Sequence, residues 1–216
     1  MVNLISDNHG FEFAEELLKY QPREKDDLLI ILGDTCLRLA DTREYNDFSQ
    51  WLLSRKYNIA IVDGNHENYE YLDSMPEEIW HGGKINRLTD NIVRLRRGEL
   101  YSIENKSYFV FGGCTSGAKW KAKGFWHSGD VPTDAQLENA YANLKKAGYR
   151  VDIILSHKYF CDQCLVHPGE EEYRLFLLNR FIDANVSFEK WYSGHRHEKR
   201  DIDGKHTVIF DELRTI

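Results

Sequence analysis

Two histidines flank an arginine in Gly194-His195-Arg196-His197, and the chain repeats this kind of chemistry elsewhere. Asp7-Asn8-His9-Gly10, Gly33-Asp34, Gly64-Asn65-His66-Glu67 and Ser156-His157 are further short runs of carboxylate, amide and imidazole. A lone HxH decides little, because a histidine is more often a packed or solvated polar residue than a ligand. Position is what carries weight. The runs follow stretches of strand character: VNLIS (2–6), LLIIL (28–32), NIAIV (58–62), VDIIL (151–155) and KWYS (190–193).

Loops at the carboxyl ends of parallel strands share one edge of an open α/β sheet, where such folds bind ligands. Asp7, His9, Asp34, Asn65, His157, His195 and His197 are the candidate metal ligands on that edge. Buried together without a cation, these groups would face a large desolvation and repulsion cost. They exceed what one ion needs once water and substrate are included, so they suit two divalent ions sharing a bridging carboxylate. Oxygen and nitrogen donors without thiolate favour Mn²⁺, Fe, Zn²⁺ or Mg²⁺ over soft metals, with Mn²⁺ the favoured expectation. Two ions roughly 3.5–4 Å apart polarise a phosphoryl group and bring the pKa of a bridging water towards ~7. Phosphate-ester hydrolysis, among the slowest uncatalysed reactions, is well served by such a site.

The elements that would position these residues alternate in the first third of the chain. Strands at 2–6, 28–32 and 58–62 enclose helices at 11–20 and about 43–54, the latter with Tyr45, Phe48, Trp51 and Leu52 on one face. Short links between them imply a parallel sheet with right-handed crossovers. A hairpin follows between 99 and 111, then an irregular stretch over 112–131. Thr133 and Gln136 form a capping-box pattern before another helix. A strand at 151–155, a helix at 170–184 and terminal strands turning at Asp203-Gly204 complete the pattern. Two packed sheets with helices outside are the expected architecture, in a single domain over 1–216.

With 216 residues, 42% hydrophobic and 13% aromatic, the chain has ample material for a folded core. LLIIL is far too short to span a bilayer, and the first residues lack signal-peptide character. A cytoplasmic protein without a membrane partner is therefore expected. The net charge of −7 disfavours wholesale binding to a nucleic-acid backbone. Cys36, Cys114, Cys161 and Cys164 are expected to be reduced structural thiols, since CDQC lacks thioredoxin-like surroundings.

Asp7-x-His9, Gly33-Asp34, Gly64-Asn65-His66-Glu67, His157 and Gly194-His195-x-His197, in this order, resemble the five motifs of the calcineurin-like metallophosphoesterases. The resemblance covers residues 5–198 and is similar to small bacterial and phage-type members. It implies an α/β fold, a four-layer α/β/β/α sandwich of two mixed sheets flanked by helices, with a dinuclear centre. Carried over, Asp7, His9, Asp34 and His197 would hold one metal, and Asp34 would bridge to a second held by Asn65, His157 and His195. His66 would lie over the substrate without binding metal, stabilising the transition state or protonating the leaving oxygen. The resemblance thus implies Asp34 and His66 as catalytic residues, with Asn65 and His66 contacting substrate.

The substrate is less constrained. Arg38, in GDTCLRLAD, falls at the offset of the phosphate-gripping arginine of the protein phosphatase branch, but the Asp before it and the Gly after it are missing. Arg38 either clamps phosphate bidentately or faces solvent. Segment 117–129 interleaves Lys119, Lys121 and Lys123 with Trp120, Trp126 and His127, which suits either a nucleotide subsite or a surface loop. WHGGK (80–84) is expected to border the site, Arg196 to point outward, and RLRR (94–97) to be a solvated strand end. The expected partner is a phosphorylated small molecule, nucleotide or phosphoprotein, hydrolysed as a mono- or diester. A nuclease or nucleotide phosphodiesterase using segment 117–129, or a non-catalytic binding module on the same fold, are the alternatives.

Overall fold

The computed structural model describes residues 1–116, 121–122, 127–160 and 171–216. Cys161 and Cys164, with Lys119, Trp120, Lys123 and Trp126, lie outside the described residues. Strands β1 (Val2–Ile5), β2 (Leu28–Ile31) and β3 (Asn58–Ile61) pair in parallel with matched ends, Val2 opposite Leu28 and Leu28 opposite Asn58. β6 (Ile92–Leu95) extends this parallel run beside β3. β5 (Gly83–Arg87) and β4 (Glu77–Trp80) then add antiparallel, while β13 (Arg214–Thr215) closes the other edge against β1.

A second mixed sheet has the order β11-β12-β10-β9-β8-β7. Here β8 (Lys106–Phe111), β9 (Ile153–Ser156), β10 (Lys190–Ser193) and β12 (His206–Val208) are parallel. β7 (Glu99–Ile103) and β11 (Arg200–Asp201) are its antiparallel edges.

Side-chain alternation along each strand explains the layering. Leu28 and Ile30 face the second sheet, in one core with Val2, Leu4, Ala60, Tyr108, Val110, Ile153 and Leu155. Leu29 and Ile31 face the opposite way, onto α1 (Glu15–Lys19), α2 (Arg43–Leu53) and α3 (Tyr69–Ser74) through Leu17, Phe48, Leu52 and Leu72. On the far side, Phe109, Phe111, Ile154 and Trp191 meet Ala140 and Leu144 of α4 (Asp134–Lys146). Leu175, Leu178 and Ile182 of α5 (Tyr173–Asn185) complete that third core. The architecture is the expected α/β/β/α sandwich. The predicted capping box is present: the Thr133 side chain accepts from the Gln136 amide, and the Gln136 side chain accepts from the Thr133 amide.

Three expectations need correction. The helix predicted over 11–20 is only Glu15–Lys19, because residues 8–13 turn back on themselves, the Phe13 amide donating to the Asn8 carbonyl at 2.9 Å. Strands β4 and β5 have no counterpart in the sequence reading, since EEIW and GKINR are short and charged, and β6 is anticipated only by the strand end at RLRR. WHGGK does not border the ligand-bearing edge. It forms the β4–β5 turn, and His81 lines a hollow with Leu28 and Asn58 at the amino ends of β2 and β3.

Away from the ligand-bearing edge, His206 bridges two carboxylates, with Nε2 3.0 Å from Asp183 Oδ1 and Nδ1 2.8 Å from Asp203 Oδ2. Burial disfavours its charge, but the hydrogen bonds to Asp183 and Asp203 outweigh that and raise its pKa. A raised folded-state pKa contributes stability that is fully present below the unfolded value of about 6.5 and is lost as pH climbs through the folded value. His206→Gln is therefore expected to lower Tm at pH 6 and progressively less as pH rises to 9. A Tm difference constant across that range in thermal melts would contradict the pairing.

Candidate metal centre

The carboxyl ends of β1, β2, β3, β9 and β10 carry Asp7, Asp34, Asn65, His157 and His195 to one place. Backbone bonds stitch the loops together: the Asp7 amide donates to the Gly33 carbonyl, His9 to Asp34 and Gly194 to His157. Asp7, His9, Asp34, His195 and His197 all adopt positive φ, between 44° and 70°. Non-glycine residues rarely accept this conformation, and such strain collects at functional sites where the surroundings enforce it. Two glycines make the close approach possible. A Cβ on Gly64 would land on the Asp34 amide and carboxylate, and one on Gly194 on Ser6 Oγ and Asp7 Oδ2.

All seven predicted ligands are brought together. His9 Nε2 lies 3.0 Å from His197 Nε2 and 3.5 Å from Asp34 Oδ2, and His197 Nε2 is 3.6 Å from Asp7 Oδ1. Asn65 Oδ1 sits 3.1 Å from both His157 Nε2 and His195 Nδ1, while Asp34 Oδ1 is 3.3 Å from His157 Nε2. Three overlapping groups have ligand atoms within 4.8 Å of one another: Asp7, His9 and His197; His9, Asp34 and His66; Asp34, His157 and His195. Asp34 belongs to two of them. His66 falls inside this geometry as well, its ring centroid 5.2 Å from that of His9.

The electrostatics fit cations. Burial lowers the pKa of His9 to about 4, holds His195 well below its usual value and depresses His66 and His197, so these imidazoles are neutral donors near neutral pH. Burial also pushes Asp7 up to about 7, with the Asp34 charge adding to the effect. Asp34 itself stays ionised against its burial because His157 faces it. His157 differs: burial disfavours its charge, yet the Asp34 carboxylate raises its pKa to about 9, so the imidazolium supplies positive charge that a cation would replace. Buried carboxylates among imidazoles are a donor set that divalent metals satisfy. The outward bonds agree: His157 Nδ1 is 2.8 Å from the Leu32 carbonyl, which orients Nε2 towards the cluster.

Several supporting residues were not foreseen. The Asn65 amide nitrogen donates to Ser116 Oγ at 3.2 Å, which turns its carbonyl oxygen towards the histidines. Glu67 accepts from the Thr35 amide at 2.9 Å and from its hydroxyl, tying the Asn65 loop to the Asp34 loop. Cys114 Sγ lies 3.5 Å from His195 Nε2. The RLRR stretch is not solvated as expected: Arg94 and Arg97 are buried and both pair with Asp63, the residue leading into Gly64-Asn65. Two arginines three apart in a β-strand context gave no signal of this, because their partner is distant in sequence.

Arg38 is exposed, and its guanidinium stacks over the Tyr71 ring at 4.7 Å. It does not line the cleft of about 290 Å³ that opens beside the cluster between His9, Glu12, Phe13, Cys36, Tyr45, His66 and His197. Arg196 pairs with Glu198, as its outward expectation implied. In the basic–aromatic stretch, Lys121 pairs with Glu171. Among the described residues, no helix is long and apolar enough to cross a membrane.

Among solved structures, the chain is similar to a phosphopantetheinyl hydrolase from Mycobacterium tuberculosis, at a TM-score of 0.51 and 16% identity, over 97% of this chain and 89% of that one. It also aligns with a protein of unknown function from Aquifex aeolicus at a TM-score of 0.41 and 16% identity, over 76% and 83% of the two chains. No curated protein matches it. The family described as calcineurin-like phosphoesterase matches residues 2–199. That span takes in every loop that feeds the cluster, from the end of β1 to His197, and so the chain belongs to the calcineurin-like phosphoesterase family.

Proposed function

We propose that this chain is a dinuclear metal-dependent hydrolase of phosphate esters. The observation that carries the reading is Asp34, a buried carboxylate whose Oδ2 lies 3.5 Å from His9 Nε2 and whose Oδ1 lies 3.3 Å from His157 Nε2, so that it can face two ions. Asp7, His9, Asp34 and His197 would hold one ion, and Asp34, Asn65, His157 and His195 the other. When bound, the ions polarise the phosphoryl group and make water nucleophilic near neutral pH. The protein's own residues do the rest. Main-chain amides of Asn65 and His66 donate to Asp34 Oδ1 at 2.8 and 2.9 Å, which fixes that carboxylate while its Oδ2 faces His9. His66 lines the open cleft, where its imidazole N–H can donate to the phosphoryl or leaving oxygen. Arg38 reaches substrate only by leaving the Tyr71 ring, so its contribution is secondary.

The substrate class favoured here is a phosphorylated small molecule, with a nucleic-acid partner disfavoured. The chain carries a net charge of −7, and no lysine or arginine is among the described residues lining the cleft.

The test reloads the metal-free protein with Mn²⁺, Fe²⁺, Zn²⁺ or Mg²⁺ and compares p-nitrophenyl phosphate, its bis ester and a nucleotide panel. About two metal ions per chain are expected, with Mn²⁺ giving the highest rates. His66→Ala is expected to keep its metal content and lose roughly 10²–10⁴ in kcat, the usual range for a lost acid–base group. Inactivity of fully loaded protein on every ester would instead favour a non-catalytic binding module.

A further inference from the structure

The cleft beside the cluster has two unlike ends. His9, His66 and His197 form the floor at which a phosphoryl group would react, while Glu12, Phe13, Tyr45 and Cys36 form the rest. An ester bound with its phosphate on the histidines and its leaving alcohol in this cleft would meet that second set. Those walls have a definite chemistry. Phe13 packs edge-on against His9 and His197 at 5.9 and 5.5 Å, fixing one aromatic wall directly beside the reacting end. Tyr45, half-buried, supplies the other from the start of α2.

Glu12 is the only formally charged side chain among the described residues lining the cleft. Among the described residues it makes no ion pair and no side-chain hydrogen bond. The helix start does not explain it, because α1 begins only at Glu15. An exposed carboxylate on the wall of a cleft that also carries Phe13 and Tyr45 repels anions and attracts cations, and aromatic faces add to the attraction for an ammonium group. The volume, about 290 Å³, lies at the small end of ligand pockets.

We propose that Glu12, Phe13 and Tyr45 form a leaving-group subsite that selects phosphate esters of small amino alcohols, holding the ammonium between the rings. The inference rests on the phosphoesterase reading and adds its substrate class. It disfavours nucleotides and sugar bisphosphates, whose additional phosphates would meet Glu12.

Two measurements test it independently. In the first, the metal-loaded enzyme is assayed on phosphocholine, phosphoethanolamine, glycerol phosphate and p-nitrophenyl phosphate. The wild type is expected to favour the cationic esters over glycerol phosphate in kcat/KM. Glu12→Gln is expected to reduce that ratio about tenfold, which corresponds to about 1.4 kcal/mol, and Glu12→Lys to reverse it. A ratio unmoved by both variants overturns the subsite while leaving the phosphoesterase reading intact. In the second, choline binding is followed by saturation-transfer NMR, with no turnover required. Binding by the wild type that Glu12→Lys abolishes supports the subsite, and absence of binding by the wild type overturns it. Choline binding without hydrolysis of any ester would count against the phosphoesterase reading alone.

Discussion

Replacing Asp34 by asparagine is expected to lower kcat/KM for p-nitrophenyl phosphate by at least about 10³-fold, because the ions it would hold would supply several kcal/mol of transition-state stabilisation. The substitution is nearly isosteric, so its effect isolates charge. Asp34 Oδ1 accepts the amides of Asn65 and His66, an arrangement that an asparagine carbonyl oxygen preserves. The other oxygen, which faces His9 Nε2 at 3.5 Å, becomes an NH₂ donor that cannot ligate a cation. The same variant should lose metal-dependent stabilisation. A cation at 100 times its Kd raises folding stability by about 2.7 kcal/mol in the wild type, and most of that Tm increase should vanish. Loss of activity together with an unchanged metal-induced Tm shift would mean that Asp34 acts in the chemistry without holding metal. Full retention of both would remove the proposed centre.

The second large effect is structural and sits one layer behind the site. Asp63 is about 1% exposed and receives Arg94 Nε at 2.6 Å and Nη2 at 2.9 Å, with Arg97 Nε 3.2 Å away. Burial alone would raise its pKa, yet the two guanidiniums hold the carboxyl below its usual range. Arg97 donates to the Tyr69 hydroxyl, which in turn donates to the Gly64 carbonyl at 2.6 Å, so the ion group braces the loop that presents Asn65. Asp63→Ala leaves two buried guanidiniums without their shared partner and is expected to cost about 3–5 kcal/mol. For a chain of this size that is a drop in Tm of roughly 6–20 °C. Arg94→Ala should cost less, because Arg97 remains beside Asp63, and the double variant should be less than additive. A loss under about 1 kcal/mol in denaturant titrations would show that water reaches the group.

These two aspartates also mark what sequence reading can reach. Asp34 was legible because a ligand-type residue just after a strand belongs to a local pattern, and five such patterns recur in order. Asp63 looked like the mere approach to Gly64, and Arg94 and Arg97 like a wet strand end. Nothing local distinguishes a solvated arginine from one whose counter-ion arrives on the neighbouring strand. The same limit hid Ser116, whose hydroxyl pairs with both the side-chain amide and the carbonyl of Asn65.

The sequence by itself determined the strand–helix alternation of the first third and the identity of the ligand-type residues, because these follow from local periodicity and residue chemistry. The layer each strand residue faces, the pairing of β3 with β6, the burial of two arginines on one aspartate and the cleft lined by Glu12, Phe13 and Tyr45 were decided only by the tertiary structure. Each depends on groups distant along the chain, whose charge and packing acquire meaning once folding removes water from between them.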